Sequence, residues 1–254
     1  MSQLWFDAAG WLQSNDPNIK VLHKPSQRRW KGMHKYIKSN YGDKLQGTIT
    51  HYDALHSAER TVRGFTRNAR GASTHLIIGR PGEIHQIVSI RDRAWHCALK
   101  KKDGKPTEWL NNGGQFPMAN GRGTANPNHW FVGIDMSNLG YLTEKKGKYY
   151  SHLNTVVPQA DVAFDEKGKP WEAYTEEALY SYEALVLALS TELDIEEGMH
   201  YRHEDSSPTR KVDPGPVFPF YYIIDRVYAL LDEYALWDQT DGHERIGDDD
   251  ENYC

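Results

Sequence analysis

The chain has little cysteine, and it lacks long apolar runs. Its 254 residues include only two cysteines, Cys97 and Cys254, too few for the disulfide framework that stabilises small secreted domains. No segment approaches the roughly 18 consecutive apolar residues that a membrane-spanning helix needs. The first residues also lack the basic segment, followed by an apolar one, that marks a signal peptide. We therefore expect synthesis in the cytoplasm and no membrane span.

Positive charge is not in excess either. Lys and Arg number 30 against 35 Asp and Glu, which gives a formal net charge of −5. This balance does not favour a nucleic-acid partner, which normally requires a basic surface. The length suits one large domain with extensions. A domain near this size buries about 70–75% of the surface of its unfolded chain, which is enough for a substantial core. We expect a monomer.

The most informative segment that is present spans residues 203–216 (HEDSSPTRKVDPGP). It contains two possible metal ligands, His203 and Asp213, and a cation, Lys211. Each proline fixes φ and lacks an N–H group, and Gly215 permits positive φ, so the segment is a poor candidate for a helix or strand. Such a constrained loop can hold side chains in place at low entropic cost.

A third possible ligand lies far upstream. Thr and Ile alternate in residues 47–52 (GTITHY), which predicts a short strand ending at His51. Open α/β folds place their sites at strand ends. Two histidines and one carboxylate, with water in the fourth position, form a known catalytic zinc set. The alternative is that His51 is a half-buried structural histidine.

Four blocks of sequence together resemble a known family. They are residues 49–52 (ITHY), 72–86 with 93–96 (RAWH), 131–138 (FVGIDMSN) and the loop 203–216. In this order they resemble the zinc-dependent N-acetylmuramoyl-L-alanine amidases of the amidase-2 type. That superfamily includes T7-type phage lysozymes, AmpD enzymes and peptidoglycan-recognition proteins. The loop is the most specific block, because it keeps a His, a Lys two residues before an Asp, and then Pro-Gly-Pro.

The resemblance implies a zinc site and a division of roles. His51, His203 and Asp213 would bind Zn²⁺, and neither cysteine would be needed. Lys211 would stabilise the oxyanion that forms during amide hydrolysis; its position two residues before Asp213 puts both on one face of an extended segment. The implied activity is hydrolysis of the amide between N-acetylmuramic acid and L-alanine of peptidoglycan or muropeptides.

The general base is where the chain departs from many relatives. Where they have Glu after Gly-Ile, this sequence has Asp135, which is one methylene shorter. General-base catalysis needs heavy atoms within about 2.6–3.2 Å, or one intervening water. Either the backbone shifts to compensate, a water relays the proton, or another group is the base. The alternative role for Asp135 is a buried carboxylate that orients a ligand histidine.

Four further residues are candidates for substrate contacts: His75, Trp95, His96 and Asn138. His75 could instead be a structural strand histidine, and Asn138 could instead cap a strand end. Asp53, two residues after His51, could accept the ring N–H of a ligand histidine. The high aromatic content of 12%, with 8 Trp and 15 Tyr, reflects either packing or a groove for sugar and peptide.

The expected fold is α/β (α+β), a single domain with a central mixed β-sheet flanked by helices and a zinc site in a groove at the sheet edge. Strands are predicted at 46–51, 74–79, 83–88 and 131–136, with 80–82 as a hairpin turn. Helices are predicted at 175–193, capped by Thr175, and at about 219–236. Residues 100–130 are predicted to form a long loop beside the substrate.

Three regions follow from this pattern. Residues 1–45 form a basic N-terminal extension, 46–236 the catalytic domain, and 237–254 an acidic tail that we expect to be disordered. We expect no separate wall-binding domain. Action on intact cell wall would then require release by lysis or through a holin. The competing hypothesis is a peptidoglycan-binding or sensing module with weak or no turnover, motivated by Asp135.

Overall fold

The computed structural model describes residues 3–25, 45, 47–66, 72–97, 101–102, 105–106, 127–207 and 210–241. Three sequence-based predictions lie largely outside these ranges. They concern the basic segment between residues 26 and 44, most of the long loop at 100–130, and the acidic tail from residue 242. The expected basic character of the N-terminal extension rests on the sequence alone, and the disorder of the tail stays a prediction.

A six-stranded mixed sheet forms the centre of the domain. Its strand order is β15-β4-β9-β5-β6-β3, and every neighbouring pair is parallel except β5 and β6. In chain order the strands are β1 (Leu4–Phe6), β2 (Leu12–Ser14), β3 (Val21–His23), β4 (Gly47–Tyr52), β5 (Leu76–Ile78), β6 (Ile84–Gln86), β7 (Lys101–Lys102), β8 (Lys105–Pro106), β9 (Phe131–Met136), β10 (Thr143–Lys145), β11 (Lys148–Tyr150), β12 (Val156–Val157), β13 (Val162–Phe164), β14 (Pro170–Glu172) and β15 (His200–Arg202).

In the described part of the chain, four helices accompany the strands. They are α1 (Ala58–Thr66), α2 (Glu176–Leu193), α3 (His203–Ser206) and α4 (Phe220–Asp241), with 3₁₀ turns at Pro127–His129, Gln159–Asp161 and Glu197–Met199. The predicted fold class is confirmed, as are the four predicted strands, although β5 and β6 are shorter than expected. Strand β9 has the predicted bounds. The predicted hairpin turn between β5 and β6 is closed by a bond from the Gly82 N–H to the Gly79 carbonyl.

One face of the sheet packs against α2 and α4. Leu76, Ile134 and Met136 are fully buried there. They contact the apolar stripes predicted from sequence, including Leu185 of α2 and Ile223 of α4. The predicted cap of α2 is confirmed, because the Thr175 side chain accepts a hydrogen bond from the Ala178 N–H.

The opposite face is covered by α1 and carries the predicted site. Ala58 and Val62 of α1 pack on Ile77 of β5. Because side chains alternate along a strand, His51 of β4 faces this side, while its neighbour Thr50 faces α2 and hydrogen-bonds the Tyr182 hydroxyl at 2.7 Å.

The N-terminal segment is more than an appended extension. Leu4 and Leu12, from the β1–β2 hairpin, are buried in the main core, and β3 forms the outer strand of the central sheet. The expectation of a separate extension over 1–45 therefore fails for its first half. Here tertiary packing recruits short apolar stretches that have too little periodicity to be recognised in the sequence.

Two other boundaries differ from expectation. Residues 203–206 form one helical turn, α3, where a loop was predicted. The Asp205 carboxylate accepts the backbone N–H and side-chain N–H groups of Arg202, which stabilises this turn before the first proline. Helix α4 continues to Asp241, so it enters the segment that was predicted to be a disordered tail.

His200 pins the edge strand β15 to the rest of the domain. Its Nδ1 atom lies 2.9 Å from the Thr48 hydroxyl of β4, and its Nε2 atom lies 3.2 Å from Ser190 of α2 and 3.1 Å from Tyr228 of α4. Burial lowers the pKa of His200 from 6.5 to about 4. The strand that leads into His203 is thus held by a neutral, buried imidazole.

This histidine should make the protein sensitive to acid. Between pH 6.5 and pH 4 the unfolded chain takes up a proton at His200 while the folded chain does not, so stability present above pH 6.5 is lost as the pH falls. The full contribution is about 3 kcal/mol. Chemical denaturation of the metal-free protein gives the free energy of unfolding at each pH in this window. That free energy should fall less steeply with decreasing pH for His200→Gln than for the wild type; equal slopes would contradict the assignment.

Candidate metal centre and active site

Three buried side chains converge at the carboxyl ends of β4 and β15. His51 is the penultimate residue of β4, and His203 directly follows β15, its parallel neighbour. The Nδ1 atoms of the two histidines are 2.8 Å apart. The Oδ2 atom of Asp213 lies 2.8 Å from His203 Nδ1 and 3.3 Å from His51 Nδ1. The structure therefore brings together the three predicted ligands.

The spacing of these atoms fits a metal ion. Ligand atoms at about 2.0–2.2 Å from a tetrahedral ion are roughly 3.3 Å from one another. The proton count also favours a cation. Burial raises the pKa of Asp213, but the neighbouring His203 and His51 outweigh it and hold this pKa well below its usual range, so Asp213 is a carboxylate. Asp213 Oδ2 and the Nδ1 atoms of His51 and His203 all carry lone pairs, and there are too few protons to place one between each pair of these atoms. A cation among them would remove the repulsion between the lone pairs.

His96 determines which nitrogen of His51 is available to bind an ion. Burial, and then His51, lower the pKa of His96 well below 6.5, so its ring is neutral. His96 Nε2 lies 3.1 Å from the Phe131 carbonyl, which can only accept, so this nitrogen carries the proton. His96 Nδ1 then accepts from His51 Nε2 at 3.0 Å. The lone pair of His51 is thereby left on Nδ1, toward His203 and Asp213.

Gly133 of β9 makes room for this relay. A Cβ atom on Gly133 would lie 2.5 Å from the His96 ring, closer than real contacts allow. The glycine in the block 131–138 therefore has a steric role. The sequence suggested a substrate contact for His96, whereas its nitrogens are engaged by His51 and the Phe131 carbonyl, so it orients the candidate ligand His51.

Loss of this relay should weaken metal binding. His96→Phe keeps a ring over Gly133 but removes the acceptor for His51 Nε2. Partners that orient ligand histidines are typically worth 10–100-fold in metal affinity, so the dissociation constant for Zn²⁺ should rise by that factor in a calorimetric titration. His152→Phe, at an exposed position, is the matched control and should bind as the wild type does. Equal affinity in all three proteins would exclude the relay.

The loop that carries Asp213 is held in place by backbone contacts. The Glu204 N–H donates to the Asp213 carbonyl at 3.0 Å, and the Tyr174 hydroxyl donates to the Pro214 carbonyl at 2.8 Å. Gly215 has a φ of 92° and lies against the Trp171 ring, where a Cβ atom would approach to 2.9 Å. Gly215 thus adopts the positive φ that glycine permits. These contacts orient the carboxylate toward the histidines.

Asp135 lies beside His51 in the sheet. The two residues are register partners on β9 and β4, so their side chains share the face that carries the site. Burial raises the pKa of Asp135, and His51 opposes that rise. His51 Nε2 contacts His96, and His51 Nδ1 contacts His203. Among the described residues, His203 Nε2 has no hydrogen-bond partner. Asp135 therefore does not orient either histidine through a hydrogen bond.

Lys211 is half-buried on the loop, two residues before Asp213. Its backbone N–H donates to the Ser207 carbonyl at 2.9 Å. Burial has the largest effect on the pKa values of Asp135 and His203. The positive charge of Lys211 makes a smaller contribution, which lowers both pKa values. The ammonium is thus close enough to act electrostatically on the same small region.

The other candidates divide into buried and exposed residues. His75 is 1% exposed, accepts from the Gly133 N–H at 2.9 Å and bonds the Asp92 carbonyl at 3.0 Å, so the structure supports its structural alternative. Asn138 is also buried, and its side chain bonds the Glu172 carbonyl and the Gly140 N–H. Trp95 is 39% exposed beside the Arg93 guanidinium, so among these residues it has the surface for a substrate contact.

Asp53 does not accept a ligand ring N–H, which corrects the alternative raised from sequence. Its carboxylate accepts from the Leu55 N–H, the Asn138 N–H and the hydroxyl groups of Ser137 and Thr61. Burial raises its pKa to about 7. Asp53 therefore ties the segment after β4 to the segment after β9, beneath the site.

The fold and the donor set together fit the class of metal-dependent hydrolases. The family model described as N-acetylmuramoyl-L-alanine amidase, amidase-2, matches residues 41–216, which is more than half of the chain. The protein belongs to the amidase-2 family of N-acetylmuramoyl-L-alanine amidases. Its activity is hydrolysis of the amide bond between N-acetylmuramic acid and L-alanine in peptidoglycan or muropeptides.

A solved structure with a TM-score above 0.5 supports the fold, and two others are weaker likenesses. A selenomethionine derivative of AmpD superposes with a TM-score of 0.53 at 19% identity, over 87% of this chain and 98% of that one. The amidase AmiD from E. coli, in complex with an anhydro-N-acetylmuramic acid peptide, gives 0.48 at 16% identity over 89% and 66%. The endolysin LysCS from Clostridium intestinale gives 0.45 at 15% over 82% and 95%.

No curated protein matches the chain. Among the residues that the structure describes, no helix is both long and apolar enough to cross a membrane.

Proposed function

We propose that the protein is a zinc amidase in which His51, His203 and Asp213 hold Zn²⁺, Asp135 is the general base and Lys211 stabilises the oxyanion. The observation that supports this assignment is the convergence of three lone-pair atoms within 3.3 Å of one another in a buried site. The family gives the reaction, and the geometry gives the residues that could hold the ion.

When bound, zinc lowers the pKa of water to about 7 and polarises a carbonyl. The residues of the chain account for the other requirements of amide hydrolysis. Asp135, raised in pKa by burial, is suited to take a proton from the attacking water and to return it to the departing amine. Lys211 brings a positive charge to the side where the carbonyl oxygen becomes negative, a contribution that typically accelerates reactions 10²–10³-fold.

The same residues divide the work of positioning. His96 holds the tautomer of His51, and the contacts of Asp213 and Gly215 hold the third ligand. Trp95, exposed next to His96, supplies a flat apolar surface for the sugar or peptide. Intact wall and soluble muropeptide both contain the amide that is cut, so the rate of hydrolysis should be measured on each.

A peptidoglycan-binding module with little turnover is the second candidate. The shorter Asp135 in place of Glu is the feature that favours it, because a base that misses the attacking water would leave a groove that binds without cutting. The three candidate ligands converge, and Lys211 is present two residues before Asp213, which favours the enzyme.

One assay separates these functions. Purified protein with Zn²⁺ should release stem peptides with new alanine amino groups from peptidoglycan and from a soluble muropeptide; a chelator should stop the release and Zn²⁺ should restore it. Lys211→Met should still sediment with insoluble wall yet release peptide about 10²–10³ times more slowly. Wall binding without alanine amines in either protein would establish the binding module instead.

A further inference from the structure

A second group of possible metal ligands lies on the same face of the sheet as the proposed active site, two strands away from Asp135. The register places His51, Asp135, Ile77 and His85 in one row across β4, β9, β5 and β6. At about 4.8 Å per strand, His85 is roughly 14 Å from His51. An ion bound near His85 would therefore be separate from the one proposed in the active site.

His85 is buried without the partners that a buried imidazole normally has. Its exposure is 2%, and neither ring nitrogen has a hydrogen-bond partner among the described residues. Its Nε2 atom lies 3.5 Å from the Glu83 Oε1 atom, and the Oε2 atom of Glu83 is likewise buried without a partner. Buried polar groups almost always have a hydrogen-bond or metal partner, so His85 and Glu83 together have room for a further binding partner.

The local backbone makes room for the pair. The carboxylate of Glu83 lies over Gly79, with Oε1 2.0 Å from where a Cβ atom would be. Any side chain at Gly79 would displace Glu83. The β5–β6 hairpin therefore holds a carboxylate beside His85, in a space that only a glycine leaves open.

Glu59, in the first turn of α1, completes the group. One ligand atom from each of Glu59, Glu83 and His85 lies within 4.8 Å of the other two. A closure of about 1.5 Å would bring these atoms to the spacing of ligands around a tetrahedral ion. Glu59 is exposed, and its side chain can supply this movement by exchanging the hydrogen bond that it accepts from the Ser57 hydroxyl. Imidazole with carboxylates suits zinc and its transition-metal neighbours better than Mg²⁺ or Ca²⁺.

We propose that Glu59, Glu83 and His85 bind a second divalent transition-metal ion of the zinc class. The ion joins the start of α1 to the β5–β6 hairpin and satisfies the orphaned atoms of His85 and Glu83. It has no part in the chemistry, because the row of strands separates it from His51.

The test counts Zn²⁺ bound to the full chain after chelation, reloading and gel filtration. The wild type should bind two ions. The double variant His51→Ala/His203→Ala, which dismantles the first site, should still bind one. Adding Glu59→Gln should weaken that remaining ion at least tenfold, and adding His85→Gln should remove it. Glu166→Gln, at another exposed glutamate, is the matched control and should change nothing.

Two results would overturn the proposal. One is a double variant that binds no Zn²⁺. The other is a remaining ion whose affinity is the same with and without Glu59→Gln. Because Glu59 is exposed, its replacement does not threaten folding, so this arm decides the matter even where His85→Gln proves unstable. Loss of the first site alone does not affect either result.

Discussion

His203→Ala should lower kcat/KM on peptidoglycan at least about 1,000-fold and remove the ion of the active site. His203 Nδ1 is the atom that lies 2.8 Å from both of the other ligand atoms, so its loss leaves His51 and Asp213 with no common partner. A bound zinc ion contributes several kcal/mol to this type of reaction, and each 1.36 kcal/mol is a tenfold change in rate. The measurement is release of alanine amines with Zn²⁺ in excess.

The matched control is His152→Ala, because His152 is an exposed histidine. It should retain the wild-type rate and the wild-type metal content of the active site. Folding of His203→Ala is checked by its denaturation midpoint in the absence of metal. A folded His203→Ala protein that releases stem peptide at the wild-type rate would refute the ligand set.

The convergence of His51, His203 and Asp213 could be predicted from sequence because the segments that carry them have local signals. His51 ends an alternating stretch, and the loop with Asp213 is marked by Pro-Gly-Pro. The parallel pairing of β4 with β15, which brings His203 next to His51, is not visible locally. The family resemblance implied only that His51, His203 and Asp213 act together, and the structure supplies the pairing and the contact.

The supporting contacts could not be predicted, because they join residues far apart in the chain. His96 binds His51 across 45 positions, and His200 bonds Thr48 across 152. Neither histidine has a spacing that distinguishes a relay from a surface residue. The same limit applies to His85, whose burial without a partner becomes apparent only when β6 is packed in the sheet.

Asp135→Asn should reduce kcat/KM about 10²–10⁴-fold, the usual contribution of a general base. Asparagine is nearly isosteric, so the strand and the neighbouring His51 should remain in place while the proton acceptor is lost. Zn²⁺ content should therefore equal that of the wild type, which separates this effect from loss of a ligand. Asp225→Asn, at an exposed position of α4, is the control.

Asp135→Glu tests the shorter side chain. If the carboxylate reaches the attacking water directly or through a second water, the longer Glu should keep at least about a tenth of the activity, because the proton acceptor is retained. An Asp135→Asn protein with unchanged turnover would instead make Asp135 a buried structural carboxylate. The contacts argue against that outcome, because His51 Nε2 is held by His96 and His51 Nδ1 faces His203. The Asp135 carboxylate is not needed to orient His51 and is therefore available as the base.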